Sequence, residues 1–343
     1  MTTAFITNPN QADHDDPSHV ERAARIAAIL AALDESGLRS ELHELVAEPA
    51  TDQQILAVHS AHLLSVIRST TAHEFAHIDG DTYTTSGSYE AARLAAGSAV
   101  RAVDAVVRGE VSNAFVLGRP PGHHATPTHS MGFCLFNNIA IAARYATDVL
   151  KLERVAIVDY DVHHGNGTQD CFYEDGQVLF CSSHAWPLYP GSGASHEMGE
   201  ESGYGLTLNM PVPHGTGDQG ITSCYDRLVL PALEAFQPQL ILVSAGYDGH
   251  WRDPLGPLTI STTGYAALTK RLVDAAQSLC DGRIVMVLEG GYDLDAIASC
   301  VVASFNVLLG REPGPDLLGS YRYNEPDLSV LIERTLRNHP IFR

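Results

Sequence analysis

Residues 155–169 hold the densest group of chemically useful side chains in this chain. They read V-A-I-V-D-Y-D-V-H-H-G-N-G-T-Q, an apolar β-branched run followed at once by acids and histidines. The run predicts a strand buried on both faces of a parallel sheet. Because alternate residues of an extended chain point the same way, Asp161 and His163 can converge on one point. A carboxylate and an imidazole there suit a divalent cation such as zinc.

Three further groups of polar side chains follow other predicted strands. His123 and His124 stand in the loop of residues 118–133, and neighbouring imidazoles suit proton transfer because histidine titrates near neutral pH. Asp248 directly follows a buried strand and offers a third metal ligand. Tyr292 follows a pair of glycines and offers a donor to a developing oxyanion. Each pattern alone also fits a structural role, as an exposed pair, a turn cap or a core tyrosine, but their joint occurrence is specific.

Strands and helices alternate along the chain, which predicts a mostly parallel sheet with helices on both faces. The predicted strands span residues 114–117, 155–158, 178–182, 206–210, 240–244 and 284–288. The predicted helices span residues 18–33, 51–58, 61–67, 86–108, 137–150, 218–236, 262–279 and 294–309, and residues 73–81 are predicted to be a loop. No shift in composition marks a second domain. Residues 1–343 are therefore expected to form one domain, with a motif-bearing core at 14–309 and a tail at 312–343 packed on it.

The composition favours a compact enzyme over a disordered regulator. The chain has 343 residues, of which 45% are hydrophobic and 18% charged. Its formal net charge of -20 argues against direct nucleic-acid binding, since phosphates require Lys and Arg. The same charge is compatible with cationic substrates, and equally with a role in solubility alone.

The cysteines and the N-terminus indicate a reducing compartment. The six cysteines are widely spaced in apolar contexts, without a Cys-x-x-Cys pair, and are expected to be buried free thiols: Cys134, Cys171, Cys181, Cys224, Cys280 and Cys300. The N-terminus lacks the pattern of a signal peptide, and no apolar run is long enough to span a bilayer. We therefore expect a cytoplasmic location without membrane association.

Five motifs, in their order and spacing, resemble the zinc-dependent histone deacetylase superfamily, which includes acetylpolyamine amidohydrolases. They read R-P-P-G-H-H-A, M-G-F-C-L-F-N-N, D-Y-D-V-H-H-G-N-G-T-Q, S-A-G-Y-D-x-x-x-x-D-P-L-G and L-E-G-G-Y, the last similar to the class II form. The resemblance extends from His14 to about Leu309. It implies a single-domain, three-layer arginase/deacetylase-like α/β fold.

The resemblance also implies the roles of individual residues. One catalytic zinc is expected at Asp161, His163 and Asp248. The expected catalytic group comprises a histidine pair, the partners that orient the pair and a carbonyl-polarising tyrosine: His123, His124, Asp159, Asn166 and Tyr292. Of the two histidines, His124 is expected to be the general base. The expected substrate contacts are a rim aspartate and tunnel walls: Asp81, Gly132, Phe133 and Tyr189. Structural potassium is expected at backbone groups around Asp159, Asp161, His163 and Ser182, and near Phe172.

Two positions depart from common family patterns, and a third differs from polyamine-specific relatives. Asn166 stands where many members have Asp, which should leave His124 less basic because an amide adds no charge. Tyr189 replaces a common Phe and adds a hydroxyl to the tunnel wall. Leu255 stands where polyamine-specific relatives place an acid, so it is included among the expected substrate contacts and favours an uncharged tunnel mouth.

These features predict hydrolysis of acylated lysine or a similar acylated amine. An amidase for acetylpolyamines or other small molecules is the alternative within the fold. A dimanganese hydrolase is disfavoured because Gly165 occupies the place of a required carboxylate, and a catalytically silent binding module is disfavoured by the intact site. A homo-oligomer is compatible with the sequence. The sequence alone does not determine the natural substrate, the acyl chain length or the choice between Zn²⁺ and Fe²⁺.

Overall fold

An eight-stranded sheet forms the centre of the protein, seen in a computed structural model that describes residues 2–322 and 324–343. Neighbouring strands of this sheet run parallel, in the order β2-β1-β5-β10-β9-β6-β7-β8. The ten strands of the described chain are β1 (Thr3–Thr7), β2 (His43–Glu44), β3 (Phe75–His77), β4 (Tyr83–Thr85), β5 (Asn113–Leu117), β6 (Val155–Asp159), β7 (Val178–Ala185), β8 (Thr207–Val212), β9 (Leu240–Ala245) and β10 (Ile284–Leu288). The predicted parallel α/β fold is confirmed.

Helices cover both faces of the sheet. Successive residues of a strand therefore pack in different hydrophobic cores, one on each face. In β6, Ala156 and Val158 pack in the core beneath α1, α9 and α10, whereas Val155 and Ile157 pack in the core beneath α4 and α5. The α-helices of the described chain are α1 (Ala24–Glu35), α2 (Asp52–Leu56), α3 (Ala61–Ser69), α4 (Ser88–Val107), α5 (Asn138–Arg144), α6 (Asn166–Phe172), α7 (Asp218–Cys224), α8 (Leu230–Phe236), α9 (Thr262–Leu279), α10 (Leu294–Leu308) and α11 (Ser329–Asn338). This double coverage explains why the strand sequences are continuously apolar.

The first helix begins later than its sequence pattern predicts. The expected start was residue 18 or 19, whereas α1 begins at Ala24. Asp16 accepts the backbone N–H of Ser18 at 2.9 Å, and Asp15 accepts that of Ala23 at 2.6 Å. Such side-chain bonds to nearby backbone compete with helix formation. Residues 17–23 therefore form turns.

The prediction of a loop at residues 73–81 was wrong in part, since β3 lies within it. This strand pairs with β4 in a short antiparallel hairpin. The three residues of this strand, F-A-H, are too few to be distinguished from a loop in the sequence. The tip of the hairpin carries Asp79 and Asp81, and Oδ1 of Asp79 accepts the backbone N–H of Asp81 at 3.1 Å.

The C-terminal segment contacts the main core through α11. Leu328 and Ile332 are buried in the core beneath α1, α9 and α10, and the imidazole of His339 lies 2.7 Å from the backbone oxygen of Thr207. The six cysteines are free; Cys171 is half-buried and the other five are buried. Across the described residues, no helix combines the length and the apolar character that crossing a membrane requires.

Candidate active site

The side chains predicted to bind a metal meet at the carboxyl ends of β6 and β9, two neighbouring strands of the sheet. Asp161, His163 and Asp248 each offer one ligand atom, and these atoms lie within 4.8 Å of one another. Nδ1 of His163 is 3.1 Å from Oδ1 of Asp161 and 3.2 Å from Oδ2 of Asp248. Both aspartates are buried. Two carboxylates and one imidazole suit a divalent cation with one coordination position left for water or substrate.

Backbone groups hold the two carboxylates in this arrangement. Oδ2 of Asp161 accepts the N–H of Gly290, and Oδ1 of Asp248 accepts the N–H of Val162, both at 2.9 Å. A Cβ at Gly290 would lie 2.1 Å from Oδ2 of Asp248, so this position admits only glycine. Burial lowers the pKa of His163, but Asp161 and Asp248 outweigh that effect and raise the pKa to about 10. Such crowding of buried carboxylates fits a site built for a cation.

The two adjacent histidines have different partners and opposite pKa shifts. Nδ1 of His123 lies 3.0 Å from Oδ2 of Asp159, whereas Nδ1 of His124 lies 2.8 Å from Oδ1 of Asn166. Burial lowers the pKa of His123, but Asp161 and Asp159 raise it to about 10. Burial, followed by the charges of His123 and His163, holds the pKa of His124 well below its usual value. The two adjacent imidazoles therefore differ in basicity, because carboxylates surround His123 whereas an amide oxygen and two imidazoles surround His124.

Tyr292 is held near Asp248, one of the three candidate metal ligands, by contacts from two sides. Its backbone N–H donates to Oδ2 of Asp253 at 2.6 Å, and the guanidinium of Arg25 lies 4.9 Å from the centre of its ring. Burial and the charge of Asp248 raise the pKa of the phenol well above its usual value. The phenol therefore stays protonated and can donate a hydrogen bond.

Two aromatic rings lie next to His124 and Tyr292. The ring of Tyr189 lies 5.1 Å from that of His124, and the ring of Phe133 lies 5.8 Å from that of Tyr292. Tyr189 is 39% exposed, as expected at the mouth of a tunnel. Gly132 has a φ of +57°, and a Cβ there would lie 2.4 Å from Cδ2 of His124. The narrow space between this turn and His124 therefore requires glycine.

The two remaining predicted substrate residues lie in segments attached to the site. Asp81 is half-buried at the tip of the β3–β4 hairpin, where burial and Asp79 raise the pKa of its carboxyl. Leu255 is half-buried, and its N–H donates to Oδ1 of Asp253 at 2.9 Å. Asp253 thus ties the segment containing Leu255 to the backbone of Tyr292. Its own pKa is raised to about 7, by burial and by Asp248.

Glu289 supports the histidine pair, a role that sequence analysis did not predict. Its Oε2 accepts the N–H of Gly122 at 2.6 Å and that of His123 at 3.1 Å. Burial raises the pKa of this carboxyl to about 7. The position of Glu289 directly after an apolar strand was the available signal, because a charged residue seldom follows a buried strand without a partner.

A buried ion network under Tyr292 also escaped sequence analysis. Arg25 donates to the backbone oxygens of Gly291 at 2.7 Å and Glu289 at 2.5 Å, and to the carboxylate of Glu21 at 3.1 Å. Glu21 also accepts two bonds from Arg119, at 2.5 and 2.7 Å. Arg25 precedes Ile29 by one helical turn on the buried face of α1, and this cation on an apolar stripe was the missed signal.

Replacing Glu21 by Gln should destabilise the protein by about 3–5 kcal/mol at pH 7, because two buried guanidiniums lose their counter-charge. Burial raises the pKa of Glu21, but Arg119, His14 and Arg25 lower it well below its usual value. The stabilisation is therefore present above the pKa of the unfolded chain and is lost as the pH falls through that of the folded protein. Urea unfolding measures the free energy of unfolding of Glu21→Gln and of the wild type, first at pH 7 and then at lower pH. The difference between the two free energies should become smaller in acid.

The exposed Glu35→Gln variant of α1 is the matched control, since it removes one carboxylate from the helix surface. We expect it to change the free energy of unfolding by less than about 0.5 kcal/mol. Equal effects of the two substitutions would contradict a stabilising role for the buried network.

Comparisons with known proteins show the family of this chain. The chain matches the histone deacetylase domain over residues 19–308. It is 40% identical over 333 residues to a probable deacetylase of Archaeoglobus fulgidus, covering 93% of this chain and 92% of the relative. It is also 40% identical over 320 residues to a histone deacetylase-like amidohydrolase of Pseudomonas aeruginosa, covering 92% and 83%. The crystal structure of the HDA15 HD domain is similar with a TM-score of 0.89 at 35% identity, covering 99% of this chain and 96% of that one.

The structural match and the parallel sheet show that the chain has an arginase/deacetylase fold. The extent of the sequence match then identifies the family, and the chain belongs to the histone deacetylase family.

Proposed function

We propose that this protein is a zinc-dependent amide hydrolase that removes acetyl or other acyl groups from acylated lysine or a similar amine. The observation that carries the proposal is the convergence of three side chains, Asp161, His163 and Asp248, within 4.8 Å beside a histidine pair and a tyrosine. Deacetylase and amidohydrolase relatives that are 40% identical over most of the chain support this class of reaction.

The residues of the chain divide the work of amide hydrolysis. Zinc in such a site polarises an amide oxygen and lowers the pKa of a water molecule from 15.7 toward about 7. Nδ1 of His124 faces Asn166, so the neutral ring keeps Nε2 available to accept the proton of the attacking water. The phenol of Tyr292 donates to the developing oxyanion. Protonated His123, held by Asp159, supplies a proton to the leaving amine.

Potassium is proposed as a structural ion near the same strand ends. The backbone around Asp159 and Ser182 is its proposed site, and the two residues are neighbours across β6 and β7. Carbonyl and hydroxyl oxygens are the ligands that hard cations prefer. An ion at this position would stabilise the segment from which Asp161 and His163 project.

The substrate class rests on Leu255. This half-buried aliphatic side chain offers apolar contact where a carboxylate would attract the secondary ammonium of a polyamine. We therefore propose acylated lysine, or a similar acylated primary amine, as the preferred substrate. The test of the function is metal analysis together with hydrolysis of a fluorogenic acetyl-lysine peptide. Purified protein that contains zinc and does not hydrolyse any acylated amine would support a binding module instead.

Leu255→Glu should shift specificity toward acetylspermidine. A new charge near a half-buried position would stabilise the ammonium of the polyamine by about 1–3 kcal/mol, as hydrogen bonds to charged groups do. The measurement is the ratio of kcat/KM for acetylspermidine and an acetyl-lysine peptide. Leu255→Gln is the control, since it adds a polar group of similar size without charge. A wild-type enzyme that already prefers acetylspermidine would contradict this role of Leu255.

A further inference from the structure

The hairpin at the rim and the tunnel wall are joined by one buried hydroxyl, that of Thr82. Oγ1 of Thr82 accepts the backbone N–H of Phe133 at 3.1 Å, and it donates to Oδ1 of Asp81, also at 3.1 Å. Thr82 has no exposed surface. A hydroxyl has a single proton, so the carboxylate of Asp81 takes it while a lone pair faces Phe133. Thr82 is therefore the direct link between two predicted substrate contacts.

The partner of this hydroxyl is a residue in an unfavourable backbone conformation. Phe133 has a φ of +69° and follows Gly132, whose φ is also positive, in a two-residue turn closed by Met131 and Cys134. A bulky residue at positive φ costs about 1–3 kcal/mol and persists only where its surroundings hold it. The ring of Phe133 packs edge-on against Tyr292 and against His19 at 4.7 Å. The hydrogen bond to Thr82 is thus one of the contacts that hold the tunnel wall in place.

Hydrogen bonds to the backbone of the hairpin tip hold Thr82 and its neighbours in place. Oδ1 of Asp79 accepts the N–H of Thr82 at 2.7 Å and that of Asp81 at 3.1 Å. The backbone carbonyl oxygen of Thr82 accepts the N–H of Ile78 at 2.8 Å. Because these bonds immobilise the backbone on either side, the position of the hydroxyl is set, and through it the orientation of the Asp81 carboxylate.

We propose that Thr82 is a positioning residue that aligns Asp81 and Phe133 as one unit for binding an acyl-lysine within a peptide. This inference rests on the proposed function and adds a determinant of substrate class to it. Asp81 at the rim can bind the backbone N–H groups of a peptide, whereas a simple N-acylated alkylamine has none. Thr82 therefore favours peptide substrates over small acylated amines.

Thr82→Val tests the link, because it keeps the shape of the side chain and removes the hydroxyl. We expect kcat/KM for an acetyl-lysine peptide to fall about 5- to 30-fold, mainly through KM, which corresponds to the loss of one or two buried hydrogen bonds. The loss for N-acetylbutylamine should be smaller by at least about threefold, since only the Phe133 contact is affected there. Zinc content should not change. Thr82→Ser keeps the hydroxyl and should restore most of the peptide activity.

Thr84→Val is the matched control on the same hairpin. Thr84 is 1% exposed, and its hydroxyl lies 3.5 Å from the backbone oxygen of Ala76, away from Asp81 and Phe133. Loss of the Thr84 hydroxyl should leave kcat/KM unchanged for both substrates. In an Asp81→Ala background, Thr82→Val should reduce peptide hydrolysis no more than it reduces hydrolysis of N-acetylbutylamine. Equal losses on the two substrates in the Asp81-containing enzyme would overturn the proposal and leave a structural role only.

Amide hydrogen exchange separates this proposal from the proposed function. The N–H of Phe133 loses its acceptor in Thr82→Val, so the segment of residues 131–134 should exchange more than about tenfold faster than in Thr84→Val. Should the wild type hydrolyse neither substrate, the proposed function fails, while faster exchange would still support the Thr82 link. Unchanged exchange in Thr82→Val overturns the link whatever the activity.

Discussion

Asp161→Ala should lose zinc and hydrolytic activity together. The substitution removes one of the three proposed ligands and leaves His163 facing only Asp248. Since removal of a residue that merely supports a ligand typically costs 10- to 100-fold in metal affinity or activity, loss of the ligand itself should cost more than about 100-fold. Zinc per protein by mass spectrometry and kcat/KM on an acetyl-lysine peptide measure the two effects in the same sample.

The control for this substitution is Asp148→Ala, which removes an exposed aspartate just beyond α5. It should retain the zinc content and the activity of the wild type. Circular dichroism of both variants establishes that the fold is intact, because Asp161 also accepts the N–H groups of His163 and Gly290. Full zinc occupancy in folded Asp161→Ala would remove this residue from the ligand set.

Tyr292→Phe should fold, bind zinc and lose about 10²- to 10³-fold in kcat, the usual effect of removing one oxyanion donor. The ring contacts to Phe133 and Arg25 do not need the hydroxyl, so the aromatic packing is preserved. KM should change little because the lost bond acts mainly in the transition state. Steady-state kinetics at saturating zinc measures both constants.

Tyr204→Phe is the matched control, because Tyr204 is 64% exposed. It should leave kcat unchanged. A kcat for Tyr292→Phe within a few-fold of the wild type would show that the phenol takes no part in the rate-limiting step.

Six of the eight strands of the sheet were predictable from sequence because they are short, mostly apolar runs, whereas β1 and β2 were not predicted as strands. Strand ends were predictable only where polar residues are exposed: β7 was expected to end at residue 182 but continues to Ala185. Ser183 and His184 are polar yet buried, and the imidazole of His184 bonds to the backbone oxygen of Gly193. Partners contributed by a distant loop cannot be read from local pattern.

The candidate site shows the same division. Side chains that follow strands could be grouped because parallel strands present their carboxyl ends at one edge. Arg25 and Thr82 could not be assigned to the site from sequence, since each acts through contacts with residues far away in the chain. Arg25 binds the backbone beside Tyr292 from a helix near the N-terminus, and the hydroxyl of Thr82 reaches Phe133 from a hairpin. Their roles depend on tertiary structure, which the spacing of residues does not contain.

The order of strands has a consequence for synthesis of the chain on the ribosome. Strand β10 lies between β5 and β9, so it joins a group formed by β2, β1 and β5 to a group formed by β9, β6, β7 and β8. Until residues 284–288 are made, the strands already synthesised can pair only as these two groups, because the strand that joins β5 to β9 is still missing. Unpaired apolar edges favour aggregation. The last strand to be made thus closes the sheet, and Tyr292 enters the site four residues after that strand ends.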